Sequence, residues 1–341
     1  LAKYLVTGSN GFIGSNIVKT LIEEGHSVRG LVRKSSNLSN LAGLPIEKIE
    51  GDIRDFDTLQ PTVEGIDGIF HTAAIYRFWA PRYDMFYDTN VDGTLNVLEA
   101  AENANVDKVV FTSTASLLAH SDDHSSLPSS TDELPSTYKV TKYIAEKEAL
   151  KYHQNNQLDV VIASPTVPIG PGDYGPTPTG RLILDFLNGR MKGYLDMNFN
   201  IIDVEDVAEG HLLAMQNGEP GKRYVLGNQN TTLSEVLEIV SKITGLRKPT
   251  FQIPYHLALT FAWIDEFFEG FLLRRRPLAP VSAIESTKVN EHIDATPWTK
   301  ELGLPQTPIT KALKKAIDWF VTNGYVKHGG TALSYNDDKA D

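Results

Sequence analysis

Short runs of β-branched and aliphatic residues alternate with longer helical patterns through the first half of the chain. KYLVT (3–7), SVRGLV (27–32), IEKIEG (46–51), GIFHTA (68–73), KVVFTS (108–113) and DVVIAS (159–164) have the length and side-chain type of strands. Between them, segments such as 12–24 and 90–103 read as helices. In the first, Ile13, Ile17 and Leu21, with Val18 and Ile22, recur at helical spacing and draw one apolar stripe. Strands alternating with helices imply an α/β fold, a doubly wound parallel sheet covered on both faces.

After Ser164 the pattern breaks. PTVPIGPGDYGPTPTGR is dense in Pro, Gly and Thr and marks a loop. Beyond it the periodicity predicts helices near 182–188, 204–216, 233–244 and 256–273, a strand at 223–226 and a last helix around 310–322. The residues from 327 onward carry little apolar content and read as a mobile tail.

At 341 residues the chain is long for a single core. Its formal charge of −11 argues against nucleic acid or an anionic membrane as the main partner. Cysteine is absent, which removes disulfides and thiolate chemistry and fits a reducing, cytoplasmic setting. The first residues already form a strand pattern, so no targeting leader is expected within the chain, although the missing initiator Met leaves a trimmed start open.

The first strand runs directly into TGSNGFIGSN, where Gly8, Gly11 and Gly14 follow a G-x-x-G-x-x-G spacing. A strand before and an amphipathic helix after make this a dinucleotide cradle. Gly8 serves a tight turn, Gly11 a close approach to pyrophosphate, and Gly14 helix–strand packing. The end of the second strand, GLVRKSS, has Val32 where an NAD enzyme offers a carboxylate, followed by Arg33 and Lys34. Arg33 suits a 2′-phosphate, so NADP(H) is favoured over NAD(H). In GDI, Asp52 is placed either to meet the adenine or to cap the helix of RDFDTL. The expected division is a dinucleotide-binding domain, 1–164, joined by returning segments near 199–228. A smaller substrate domain would comprise 165–198 and 229–325, with a tail at 326–341.

The segments TGSNGFIG, GDIRD, FHTAA, NVDGTLNVLEAA, VVFTSTAS, YKVTKYIAE and DVEDVAEGH stand in the order of the extended short-chain dehydrogenase/reductases, which the chain resembles to about residue 320. In detail it looks like the dihydroflavonol-reductase-like branch and, through PTPTGRLILDFLNGRM, the hopanoid-associated sugar-epimerase-like proteins. The resemblance implies a Rossmann fold with a C-terminal substrate domain. It also implies cofactor contacts at Asn10, Phe12, Ile13, Ile53, Thr72, Ala73, Ala74, Thr112, Ser113, Pro165, Thr166 and Val167.

STYKVTKYIAEK contains two Tyr-to-Lys pairs at helical spacing, Tyr138–Lys142 and Tyr143–Lys147. The family pattern Tyr-x-x-Ser/Thr-Lys-x-x-Ala-Glu fits Tyr138, Thr141, Lys142, Ala145 and Glu146, and the second pair lacks the hydroxyl residue before lysine. Five helical residues rotate about 140°, so both tyrosines cannot serve one site. Tyr138 is thus the expected proton donor and acceptor. Lys142 would favour its phenolate and hold the nicotinamide ribose. The third member is implied at Thr114, with Ser113 as competitor.

Tyr76, Phe78 and Trp79, with Tyr174, Arg181 and Phe186, are expected either to line an aromatic substrate pocket or to build the domain interface. HSDDH (120–124) resembles a metal cluster but reads as a solvated loop, so no metal is expected. His211 reads as a packing histidine. The aromatic stretch at 256–276 ends in three arginines and could lie on a membrane or partner. Asp265, Glu266 and Glu269 interrupt it, so a substrate-domain helix is the favoured reading. A carbonyl reductase is expected. Ser164 stands where sugar-nucleotide enzymes of this family often carry Asn, which weighs against the alternative, a redox-neutral nucleotide-sugar epimerase or dehydratase. The expected partners are a small-molecule substrate and, by resemblance, a second copy in a homodimer.

Overall fold

The computed structural model describes residues 1–120, 126–155 and 158–327. Its first half alternates as β1 (Lys3–Thr7), α1 (Phe12–Glu23), β2 (Ser27–Val32), β3 (Glu47–Glu50), α2 (Phe56–Val63), β4 (Gly68–His71), α3 (Asp84–Tyr87), α4 (Gly93–Asn103), β5 (Lys108–Thr112), α5 (Thr137–Asn155) and β6 (Asp159–Pro165). Successive strand residues serve opposite faces. Tyr4 and Val6 enter the core shared with α1, while Leu5 enters the core formed with α4 and α5. Val110 and Val161 join the first face, and Val109, Phe111, Val160 and Ile162 the second. Burial on both sides is why these strands read as nearly unbroken apolar runs.

The rest of the chain forms β7 (Val167–Ile169), α6 (Pro178–Leu187), β8 (Asn198–Asp203), α7 (Val204–Asn217), β9 (Arg223–Leu226), β10 (Gln229–Thr232), α8 (Leu233–Thr244), α9 (Tyr255–Asp265), α10 (Val281–Ser286), α11 (Thr296–Leu302) and α12 (Ile309–Thr322). The main sheet has seven parallel strands in the order β3-β2-β1-β4-β5-β6-β9. The order turns back between β1 and β4, which opens a crevice beyond their C-terminal ends. A smaller mixed sheet, β10-β8-β7, packs with α6, α8 and α12 around Ile183, Phe199, Leu237, Ile317 and Phe320.

Several elements depart from the periodicity. β7, β8 and β10 were not anticipated, because NFNIID and QNTT carry asparagines and lack clean alternation. α6 begins at Pro178, four residues before the predicted start, since the Thr177 hydroxyl accepts the Gly180 amide and proline fits the first helical position. The stretch predicted as one helix over 256–273 changes geometry midway, from α9 to π-helical turns at Glu266–Leu272. A shorter π-helical stretch, Asp88–Asp92, likewise precedes α4.

Candidate active site

The N-cap of α1 is Gly11, which offers no side-chain cap, and the first turn holds no acid. Its free amides are therefore left for an anion. Gly8 sits at φ 66°, and a Cβ there would meet the Ala73 backbone at 2.9 Å. Gly14 backs onto the Gly8 carbonyl and the Thr72 side chain, and Phe12 and Ile13 precede it in the first turn of α1. Asn10 donates to the Asn37 carbonyl at 3.1 Å and Thr72 to the Thr7 carbonyl at 2.7 Å, while Ala73 and Ala74 follow at the β4 edge. These residues fit a dinucleotide pyrophosphate.

Arg33 is exposed just past β2, and its charge acts on Asp52. Asp52 does not cap α2, whose N-cap is Asp55. Instead Arg54 grips it through Nε at 3.0 Å and Nη2 at 2.6 Å and holds its carboxyl below the usual range. Asp52 is thus spent on Arg54, and Arg33 keeps its guanidinium exposed beside them. Ile53 is buried against Gly93.

α5 delivers Tyr138, Lys142 and Glu146 from one face. Thr141 anchors the helix by accepting from Asn90 Nδ2 at 3.0 Å, and Asn90 Oδ1 also accepts the Ile75 amide. The Tyr138 phenol is crowded by protein, which pushes its pKa up; a hydrogen bond from Thr114 opposes this, and the Glu291 charge adds to it. Ser113, the competitor, turns inward instead and donates to Glu146 Oε2 at 2.5 Å. Glu146 is wholly buried and pairs with Arg223 of β9. The geometry therefore puts Thr114 beside the phenol and leaves Ser113 in the wall behind it. Lys142 Nζ donates to the Thr112 carbonyl at 2.6 Å and lies 4.2 Å from the Phe111 ring centroid. Burial takes its pKa down to about 7, against a favourable pull from Glu146.

Tyr76 lies against Tyr138, ring centroids 4.7 Å apart, and Phe78 follows at 6.3 Å from Tyr76. Tyr76 keeps 45 % of its surface open yet is crowded enough for its phenol to be pushed well up, as befits a cleft wall. Trp79 turns its indole nitrogen toward Gly270. Tyr174, expected either as a substrate contact or at a domain interface, packs on Trp319 at 4.9 Å and donates to Asn323, while Phe186 is in the core of the smaller sheet. Both sets of contacts lie within the substrate domain. Arg181 is exposed at the start of α6 and bonds the Pro176 carbonyl. Pro165 ends β6; the Thr166 amide and hydroxyl both reach the Leu226 carbonyl, and Val167 opens β7.

Three participants escaped the sequence reading. Lys139, almost fully buried, donates to Glu291 at 2.7 Å and meets His120 Nε2 at 3.1 Å. His71 bridges Thr7 and Thr94, and burial takes its pKa down to about 3, so it stays neutral. Asp173 accepts the Thr177 amide and hydroxyl. His211 is buried between Thr112 and the Val207 carbonyl, a packing role. Of the HSDDH segment, residues 121–124 lie outside the described residues, as does the tail from 328.

The family model for the NAD dependent epimerase/dehydratase family matches residues 4–227. A protein of a Synechocystis species named "Putative dihydroflavonol 4-reductase" is 42% identical over 332 residues, covering 95% of this chain and 96% of its own. "Cinnamoyl-CoA reductase 2" of Medicago truncatula is 34% identical, covering 70% of this chain and 75% of its own. The solved structure of gox2253 superposes with a TM-score of 0.84 at 36% identity, covering 96% of this chain and all of that one.

Proposed function

Because the chain belongs to the NAD-dependent epimerase/dehydratase family and is an NAD(P)-dependent enzyme, we propose that it reduces an aldehyde or ketone with NADPH. The observation that carries reduction over epimerisation is the corner at Arg33. Arg33 stands exposed at the end of β2 with no carboxylate of its own to hold, and Asp52 is neutralised by Arg54, which suits a 2′-phosphate; the phosphorylated cofactor serves reductive supply. The reductase names of two relatives support the same reading. Ser164, where a sugar-nucleotide enzyme would offer Asn, is wholly buried.

When bound, the nicotinamide supplies the hydride. The protein supplies the proton and the positions. Thr114 would hold the carbonyl oxygen beside Tyr138, whose raised pKa keeps the phenol protonated and ready to donate. The phenolate left behind gains from the Lys142 ammonium one turn away. Tyr76 and Phe78 form an apolar wall for a planar or aliphatic substrate.

The test is NADPH oxidation by the purified protein against aromatic and aliphatic aldehydes and ketones, with Tyr138→Phe as control. Turnover that disappears in the control supports the reading. No oxidation, with a nicotinamide cofactor retained through purification, would instead assign a redox-neutral sugar-nucleotide reaction.

A further inference from the structure

The segment richest in aromatics turns its rings outward. α9 and the π-helical turns after it bury Ala262 and Gly270. Phe261, Trp263, Ile264, Phe267, Phe268 and Phe271 stay exposed, Phe271 over 75 % of its surface. Phe267 stacks on Phe271 with centroids 5.9 Å apart and meets Phe268 edge-on at 5.4 Å, so these rings form a continuous surface. Exposed apolar surface of this kind marks an interaction site.

The acids that weighed against such a role in the sequence face the other way. Asp265 accepts the Ala279 amide at 2.9 Å and Glu266 the Val281 amide at 2.7 Å, fastening the turns to the start of α10. Glu269 is half-buried. Directly after the rings come Arg274, Arg275 and Arg276, all exposed, in a chain of net charge −11. The charges acting on Arg276 are the like charges of Arg181 and Arg77. The result is an aromatic face rimmed by cations of one sign.

We propose that this face docks on an anionic lipid bilayer, with the rings at the acyl boundary and the arginines on the headgroups. Aromatic and aliphatic residues beside clustered arginine are the composition of interfacial helices. Among the described residues no helix is long and apolar enough to cross a membrane, so the segment lies in the surface. Charge favours an anionic lipid surface, because three exposed arginines border the rings while the acids beside them, Asp265 and Glu266, are spent on backbone amides. The face also adjoins the cleft. Trp79 approaches Gly270, and the Phe78 carbonyl accepts the Ser282 hydroxyl at 2.7 Å. An apolar carbonyl compound held in the bilayer would have a short route past Phe78 to Tyr76. That route rests on the reductase reading; docking does not.

The test is flotation of the full chain with phosphatidylcholine vesicles, with and without phosphatidylglycerol. Co-flotation should require phosphatidylglycerol, weaken with salt and shift Trp263 fluorescence to the blue. The triple variant Trp263→Ser, Phe267→Ser, Phe271→Ser should abolish it. Arg274→Gln with Arg275→Gln should weaken it by about fivefold per arginine. All five positions are exposed, and a cooperative thermal transition reports that each variant folds. The proposal is overturned if the wild type floats with neither vesicle or the triple variant binds as well. It is equally overturned if light scattering shows a dimer that the triple variant converts to a monomer, which would give this face to a second copy.

Discussion

Lys142 gives its hydrogen bond to the Thr112 carbonyl at 2.6 Å, not to the Tyr138 phenol one turn before it. The pair on α5 that does share a bond is Tyr143–Lys147, at 3.3 Å, and its tyrosine packs with Leu117 and Leu134 away from the cleft. Lys142 is therefore fastened to the end of β5, where its charge is poorly solvated.

That placement predicts a pH-dependent cost. Lys142 has a pKa near 10.5 in the unfolded chain and about 7 in the fold. Between these values the unfolded chain holds a proton that the folded protein lacks, so stability rises with pH across the window. The penalty is full below about pH 7 and relieved toward 10.5. Lys142→Met should stabilise the ligand-free protein on the acid side and flatten its thermal midpoints from about pH 7 to 10. Parallel slopes for variant and wild type would refute this.

Tyr138→Phe should cost about a hundred- to ten-thousandfold in carbonyl reduction, the range for losing a positioned proton donor. NADPH affinity, measured by fluorescence titration, should barely change. Tyr143→Phe should leave turnover close to wild type.

Arg33→Ala should raise the Kd for NADPH by about ten- to hundredfold while leaving that for NADH unchanged, from the loss of a charge-assisted contact to phosphate. Equal losses for both cofactors would place the 2′-phosphate elsewhere.

Glu291 opposes the Tyr138 phenolate through space. Glu291→Gln removes that charge and leaves Lys139 uncompensated, and both effects favour the phenolate. In the alcohol-oxidising direction, the alkaline rise of the pH–rate profile should move to lower pH. An unmoved or raised limb would count against this coupling.

Glu146→Ala strips the buried Arg223 and Ser113 of their partner and should destabilise the fold by about 3–5 kcal/mol in urea unfolding. Adding Arg223→Met should cost less than the sum of the two single changes.

The central strands of the main sheet could be read because burial on both faces demands apolar runs, and Tyr138 because its motif is local. Ser113 and Thr114 could not be separated, since adjacent hydroxyls at a strand end look alike until one is seen meeting Glu146. Lys139 and Glu291 lie 152 residues apart, and no local pattern joins them. The surroundings of Tyr174 could not be read because its partners belong to the last helix and the residues after it. Over 266–272 a helical wheel fails for a different reason: π-helical turns rotate each side chain away from the position that 3.6 residues per turn assigns.

The seventh strand has a consequence for how the protein is made. β6 pairs with β9 from Ile162 opposite Arg223 to Pro165 opposite Leu226. During synthesis, all the residues between these strands must emerge before that sheet edge is covered, and before Glu146 finds Arg223. Until then the nascent chain carries an open apolar strand, the kind of edge that invites aggregation. Truncation before residue 226 should thus yield insoluble protein, and the emergence of β9 from the ribosome, more than any local step, sets when the nucleotide-binding half becomes safe.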